Sequence, residues 1–172
     1  MSAARLSFAE RGLGIAVHLI ADRAGVGIGT LYRHFPSKQS LIDATLAQRL
    51  DELQPAIDGA LKARDPWTGF AELLLAMVAA QVQDRGFSQM LGRTGGGALS
   101  ERLRARLLRP LERLMVQAQA AGRMRGDLVV GDLPVILRMA GAAAQQAEPP
   151  QNWRRHVGLL LDGLQTSRPV GA

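Results

Sequence analysis

The segment VHLIADRAGVGIGTLYRHFPSKQSL, residues 17–41, constrains the fold more than any other part of this chain. Its apolar spacing predicts two short helices, over about 17–24 and 28–34, joined by a tight turn at Gly25. Glycine suits that position because the residue after a helix commonly takes a positive φ, which other side chains tolerate poorly. Val26 is expected to fill the turn. The segment therefore predicts a helix-turn-helix unit.

The second of these helices is predicted to turn a polar and aromatic surface outward. Leu31 and Phe35 are expected to face the core, which leaves the outer positions to Thr30, Tyr32, Arg33 and His34. Such groups on one short helix suit the DNA major groove, which admits one helix and presents base edges flanked by phosphates. Tyr32 or His34 alone would indicate only a polar tip on a core helix. Together they favour a DNA-contacting surface.

At these residues the chain resembles the TetR family of transcriptional regulators. The resemblance rests on FAERG at residues 8–12, on IADRAGVGIGTLYRHFPSK at residues 20–38 and on Leu41. It implies a three-helix DNA-binding domain over residues 1–45, followed by a helical ligand-binding and dimerisation domain over residues 46–172. The first helix of the family is longer, so this chain is expected to be N-terminally shortened and to begin partway into that helix.

The resemblance also implies roles for individual residues of the helix-turn-helix. Phosphate contacts are expected from Tyr32, His34 and Lys38. Base-edge contacts are expected from Ile28, Gly29 and Thr30, with Arg33 at the rim. Lys38 also begins the next helix, whose first amides are able to hold a phosphate. Gly27 and Gly29 carry no side chains, so DNA shape is expected to contribute to recognition.

Composition and charge narrow the class of protein. The chain has 172 residues, enough for one large or two small domains, and no cysteine, which excludes disulfides and thiolate sites. The net charge of +6 favours an anionic partner. The excess falls over residues 93–125, however, where eight arginines accompany only Glu101 and Glu112. This arginine-rich face indicates either a solvated helix surface or a site for an acidic ligand, so the DNA argument rests on the motif.

Several other classes of protein receive no support from the sequence. The three histidines are scattered, so no metal site is predicted. No nucleophile motif, carboxylate pair or phosphate-binding loop is present, and we therefore expect no enzyme activity and no cofactor. No signal peptide is recognised, and no apolar run approaches the roughly 20 residues of a membrane helix. The expected location is the bacterial cytoplasm, at the nucleoid, without membrane contact.

The remaining sequence is predicted to be helical, which makes the fold all-α. Apolar residues recur near helical spacing over 2–11, 38–61, 66–84, 98–121, 133–146 and 150–167, with a short piece over 87–91. Ser37 lies where an N-cap belongs, and Asp65 before Pro66 is typical of a cap followed by proline at the first helical position. Pro55 is expected to kink the long helix or end it early, and Pro110 to bend a later one.

Large apolar side chains in the segments 66–91 and 98–121 indicate either core or a ligand pocket. Methionines suit sites that accept varied ligands, and Gln81 adds one amide able to orient a mostly apolar molecule. The resemblance places an unknown small-molecule effector here, in a predicted cavity of roughly 300–1,000 Å³. A core-only role is the alternative for each residue. The predicted pocket residues are Phe70, Leu74, Met77, Gln81, Met90, Leu107, Leu111 and Met115.

The last two predicted helices each carry an apolar stripe. A chain of this size could bury both stripes internally. The family buries them across a twofold axis, and a protein that reads palindromic DNA needs such a dimer. The predicted interface residues of the homodimer are Leu133, Leu137, Ala140, Ala144, Trp153, Val157, Leu160 and Leu164.

The sequence thus predicts a homodimeric, DNA-binding transcriptional regulator. We expect a repressor that occupies a palindromic double-stranded operator and leaves it when a small molecule binds the second domain. The alternative is a dimeric helical small-molecule-binding protein without effective DNA binding.

Overall fold

The computed structural model of the chain describes residues 1–92, 98–148 and 152–166, and these ranges are almost entirely helical. Their ten α-helices, numbered α1 to α10 in chain order, span Ser2–Arg11, Val17–Ala24, Ile28–His34, Lys38–Leu61, Pro66–Gln83, Arg85–Gly92, Ala98–Leu103, Arg109–Ala120, Leu133–Gln145 and Trp153–Leu164. Within the described ranges the extended pairing is limited to one bridge, Met124 with Gln165. The all-α prediction is confirmed.

The helix ends form where local chemistry predicts them. Gly25 ends α2 with φ +66° and ψ +29°, the left-handed conformation that the turn requires. Ser37 caps α4 by accepting a hydrogen bond from the amide of Ser40 at 3.1 Å, and the hydroxyl of Ser40 accepts one from the amide of Ser37 in return. Asp65 caps α5, with Pro66 in the first turn.

The two interior prolines behave differently from each other. Pro55 does not end α4, which continues to Leu61, so the expectation of an early end was wrong. Buried Leu53 and Ile57 hold this part of α4 on the core and offset the lost backbone hydrogen bond. Before Pro110 the helix widens into a π-helical turn, Arg104–Leu108, which accommodates the proline ring between α7 and α8.

α5 is the central helix of the bundle. It packs against α4, α6, α8 and α9, and α10 covers α9 and part of α5. Burying one large aliphatic or aromatic side chain stabilises a fold by about 1.5–3 kcal/mol. α5 therefore organises the core through its fully buried residues Phe70, Leu73, Leu74, Met77 and Val78.

α4 connects the N-terminal helices to this bundle without a break. The predicted domain boundary after residue 45 lies inside α4, next to buried Thr45 and Leu46. Residues on both sides of that point belong to one contiguous apolar core. One continuous helix therefore connects the bundle with the N-terminal unit.

The arginine-rich stretch lies mainly on the surface. Arg106 donates to Asp51 at 2.8 Å and to the side chain of Gln54 at 3.0 Å, which ties the π-helical turn to α4. Arg109 forms a looser ion pair with Glu101 at 3.6 Å. These pairs are exposed and accord with a solvated face. Arg93, which the sequence places in the same stretch, lies outside the described residues.

Removing the carboxylate of Asp65 is expected to lower the free energy of unfolding by about 0.5–2 kcal/mol at neutral pH. This carboxylate accepts hydrogen bonds from the hydroxyl of Thr68 at 2.8 Å and from its amide at 3.3 Å. The Thr68 hydroxyl is the main cause that holds the pKa of Asp65 below its usual value of 3.8. Chemical denaturation of wild type and Asp65→Ala as a function of pH measures the difference.

The sign of the pH dependence follows from the lowered pKa. The advantage of wild type over Asp65→Ala is fully present above the usual pKa and is lost as the pH falls through the folded-state value. Asp65→Asn is the matched control, because asparagine caps helices about as well as aspartate and does not titrate. A wild-type advantage over Asp65→Ala that persists unchanged in acid would contradict the assignment.

Candidate nucleic-acid interface

The helix-turn-helix unit is built on a small apolar base. Ile20 and Ala21 of α2 are buried at 1% exposure each, and Leu31 of α3 is buried at 8%. The amides of Gly25 and Val26 close the turn by donating to carbonyls near the end of α2. Because Leu31 anchors one side of α3, the opposite side of that helix is presented to solvent.

The outward residues of α3 lie where the sequence places them. Every residue of α3 except Leu31 is exposed, and Lys38 at the start of α4 is half-buried. Within the described ranges, none of their side chains takes part in a hydrogen bond or ion pair. The exposed predicted DNA contacts are Ile28, Gly29, Thr30, Tyr32, Arg33 and His34, and their contacts with DNA stay a prediction.

Two residues of this unit differ from expectation. Val26 is 38% exposed and so does not fill the turn, because the glycine conformation and the backbone hydrogen bonds already close it. Phe35, expected to face inward, is only half-buried against the core. Both leave apolar surface beside α3.

An ion pair fixes α2 against α1. The guanidinium of Arg23 donates two hydrogen bonds to the carboxylate of Glu10, at 2.6 and 2.8 Å. This contact lowers the pKa of Glu10 and raises that of Arg23, although both groups are open to solvent. Phe8 of α1 is buried at the same junction, so the ion pair adds orientation to a contact that apolar packing holds together.

α6 joins the helix-turn-helix unit to the bundle, a role that the sequence did not reveal. Gln89 of α6 accepts a hydrogen bond from the amide of Leu13 at 2.7 Å, and Gly86 lies so close to Phe8 that a Cβ there would crowd the Phe8 backbone. The neighbouring Ser88 accepts from Gln145 of α9 at 2.6 Å. Two adjacent residues of α6 thus contact the loop before α2 and the helix α9.

A cleft of about 520 Å³ borders this junction, lined by Leu13, Gly14, Lys38 and Gln89. α4 also contacts α6 directly, since Arg49 of α4 places its guanidinium 5.9 Å from the ring centre of buried Phe87. Arg49 also pairs with Glu52 at 2.7 Å. Local sequence signals do not identify the contact of Arg49 with Phe87, because the two residues lie on different helices.

The eight predicted pocket residues are all buried in one core, and Gln81 has a structural partner there. Its side-chain amide donates to the backbone carbonyl of Leu137 at 3.3 Å. Its carbonyl end fills the space over Gly141, where a Cβ would overlap it. Gln81 therefore has a structural role, since it ties α5 to α9. An effector site in this cluster stays a prediction.

The predicted dimer-interface residues lie mostly in the core of the single chain, and their part in a dimer stays a prediction. The residues buried inside the single chain, and so with little surface left for a partner, are Leu133, Leu137, Ala140, Ala144, Trp153, Val157 and Leu164. Leu160 is only partly buried and also packs on the core. The stripes chosen from the sequence face α5 and each other, because they are the most apolar sides of their helices.

The exposed sides of α9 and α10 carry a second apolar surface. It consists of Val135, Met139, Ala142 and Ala143 on α9 with Leu159 on α10, and we call it the outer face. Met139 and Leu159 are 59% and 58% exposed. Exposed apolar side chains on neighbouring helices are one feature of protein interfaces.

Two other kinds of site find no support in the part of the chain that the structure describes. No group of three or more histidine, cysteine or carboxylate side chains is arranged there to hold a metal ion. No helix there is both long and apolar enough to cross a membrane.

Two family models match the chain. One, described as bacterial regulatory proteins of the tetR family, matches residues 1–45. The other, described as the C-terminal domain of SbtR-like transcriptional regulators, matches residues 65–166, which is more than half of the chain.

Individual relatives agree with these models. The HTH-type transcriptional repressor KstR2 of Rhodococcus jostii is 53% identical over 47 residues, which are 27% of this chain and 23% of that protein. The chain thus matches less than a quarter of that relative's length. The crystal structure of the TetR transcriptional regulator SCO0520 from Streptomyces coelicolor is 28% identical, with a TM-score of 0.65 and 97% of both chains covered. A TetR transcription regulatory protein from Mycobacterium vanbaalenii is 30% identical, with a TM-score of 0.59 and coverage of 96% and 92%.

Proposed function

The chain belongs to the TetR family of bacterial regulatory proteins, and from this premise we propose that it is a homodimeric repressor that a small molecule releases from a palindromic operator. The observation that carries the proposal is the exposed row of groove-compatible side chains on α3, anchored from behind by Leu31. The matched region of a curated relative belongs to a named repressor, which favours repression over activation. The proposed site of action is the nucleoid, in the cytoplasm.

The DNA-binding unit is proposed to comprise residues 1–45, with α3 in the major groove. Tyr32, His34 and Lys38 would hold phosphates on either side of the groove and set the register of the helix. The exposed positions of Tyr32 and His34 favour a DNA-binding protein over a small-molecule binder without DNA affinity. Residues 46–172 would bind the effector and form the dimer.

The homodimer is proposed to form through the outer face of α9 and α10. Two copies related by a twofold axis would bury Met139 and Leu159 of each protomer in a four-helix interface. A palindromic operator requires that the two copies of α3 lie on the same side of such a dimer.

The effector is proposed to enter the core between α5 and α8, around Met77 and Met115. A ligand releases DNA only to the extent that it binds the non-DNA-binding conformation more tightly. α4 offers one mechanical route to α3. α6 offers a second, because Ser88 and Gln89 connect α9 to the loop before α2.

Selection of bound sequences from random DNA tests the function directly. We expect a palindrome whose half-site centres lie roughly 34–36 Å apart, or farther if the dimer spans more groove. Footprinting on the selected sequence should protect both half-sites. A single unpaired half-site would contradict the dimeric reader, and failure to select any sequence at low salt would reject DNA binding.

Loss of one phosphate contact per protomer is expected to change the salt dependence of operator binding. Lys38→Ala should reduce the slope of log affinity against log salt by about 0.9 for each phosphate, or about 1.8 for the dimer. Affinity should fall similarly for all DNA sequences, because phosphates carry no base information. Fluorescence anisotropy at several salt concentrations measures both quantities.

Lys62→Ala is the matched control for this substitution. Lys62 is exposed directly after the far end of α4, about 36 Å from Lys38 along the helix axis. Lys62→Ala removes the same charge as Lys38→Ala, so a general electrostatic effect would appear in both variants. An unchanged slope in Lys38→Ala, or an equal change in Lys62→Ala, would reject the proposed docking.

A further inference from the structure

We propose that Ile28 is a specificity-determining residue that contacts the C5-methyl group of one thymine in each operator half-site. The inference rests on the proposed function, in that α3 must lie in the major groove. The inference specifies which base, and which group on that base, this helix recognises.

The helix geometry puts Gly29 near the middle of the exposed side of α3. With 3.6 residues per turn, successive side chains are rotated by about 100°. Buried Leu31 marks the inner side, so Gly29 and Arg33 lie nearly opposite to it, while Ile28 and Thr30 lie on the two flanks. A Cβ added at Gly29 would meet nothing within 4 Å. The missing side chain lets the backbone approach the base edges closely and brings Ile28 within reach of them.

Ile28 is exposed and apolar at a position where a base-reading helix usually carries a polar group. Its exposed fraction is 47%, and Tyr32, one turn later on the same flank, is 43% exposed. Their Cβ atoms are expected to lie about 5–6 Å apart, so the two side chains are neighbours on the helix surface. The flank therefore presents an exposed apolar surface, against which a methyl group is able to pack, to the groove.

Thymine is the base that presents an apolar group to such a surface. In the major groove the other base edges present hydrogen-bond donors and acceptors, whereas thymine adds a C5-methyl. Isoleucine has no polar atom to exchange hydrogen bonds with guanine, adenine or cytosine. α3 carries no asparagine, glutamine or lysine that could read a base by paired hydrogen bonds, and Arg33 is its one guanidinium. Contact between Ile28 and the methyl group is thus the base-specific interaction that this flank supports.

The test removes the methyl group from the DNA and the isoleucine from the protein. An operator selected from random DNA is remade with deoxyuridine in place of each thymine in turn, symmetrically in both half-sites. At one symmetric pair of thymines, wild type should bind the uracil operator about fifteenfold more weakly, which corresponds to about fourfold for each buried methyl. Ile28→Ala should bind the thymine and uracil operators equally at that position. Circular dichroism checks that the variant is folded.

Two further variants separate this contact from general effects. Val129→Ala shortens a 60% exposed aliphatic side chain outside the helix-turn-helix and should keep the full uracil penalty. Tyr32→Phe should lose affinity through its missing hydroxyl and still keep the penalty. In wild type, 5-methylcytosine at the same position should bind more tightly than cytosine, since it restores the methyl group.

The outcomes separate this inference from the proposed function. Operator binding with no uracil penalty at any thymine, or with a penalty that persists in Ile28→Ala, would overturn the role of Ile28 and leave the DNA-binding function standing. Failure to select any operator would overturn the proposed function itself. A uracil penalty that is present in wild type and absent in Ile28→Ala supports the inference.

Discussion

Met139→Arg is expected to convert the dimer into monomers and to weaken operator binding by about a hundredfold to ten-thousandfold. Met139 is 59% exposed on α9, at the centre of the outer face, so the substitution leaves the core of the protomer intact. In the proposed dimer the new guanidinium would be desolvated without a partner, and it would also face its own copy across the twofold axis. A monomer binds one half-site and loses the gain from tethering the second.

Light scattering and anisotropy on the selected operator measure these two effects. Val116→Arg is the matched control, because Val116 is 52% exposed on α8, outside the outer face, and receives the same new charge. It should remain dimeric and bind DNA as wild type does. The interface assignment would be wrong if wild type were monomeric at micromolar concentration, or if Met139→Arg stayed dimeric.

Gly69→Ala is expected to lower the free energy of unfolding by about 2–3 kcal/mol. At Gly69, near the start of α5, a Cβ would overlap the backbone carbonyl oxygen of Ala60 on α4 and would come within 3.2 Å of Ala63. A backbone atom cannot move aside as a flexible side chain can, so α4 and α5 must separate. For a chain of this length the melting temperature should fall by about 4–9 °C.

Gly59→Ala is the control for this prediction, since Gly59 lies in α4 close to the same crossing. A Cβ there would meet nothing within 4 Å, and its φ is not positive. Alanine is favoured over glycine inside helices, so Gly59→Ala should raise stability by about 0.5–1 kcal/mol. Opposite signs for the two variants isolate the helix contact from helix propensity. Equal signs would contradict close packing at Gly69.

The helix-turn-helix was predictable from the sequence because its signals act over short distances. The glycine turn at Gly25, the cap at Ser37 and the apolar anchor Leu31 each depend on residues a few positions away. The motif therefore predicted the bounds of α2 and α3 and the exposed side of α3 as the structure has them. The residues of the motif also indicated the family, which the matches to both parts of the chain confirm.

The two sides of α9 and α10 were not distinguishable from the sequence. A protomer core and a dimer interface bury the same kinds of side chain, and both sides of α9 contain apolar residues. The prediction chose the more apolar stripe, with Leu137 and Ala140, and the structure turns that stripe towards α5. The outer face is identified only from the structure, which buries the other stripe and leaves Met139 and Leu159 exposed.

The family, the all-helical fold and the outward chemistry of α3 were predictable from the amino-acid sequence, because each follows from neighbours along the chain. The pairing of distant residues was not, since it depends on the tertiary structure. The side-chain amide of Gln81 donates a hydrogen bond to the carbonyl of Leu137, which lies 56 positions away. The side-chain oxygen of Gln89 accepts one from the amide of Leu13, which lies 76 positions away. Such contacts depend on how whole helices cross, which is set by the summed packing of the core and not by any local pattern.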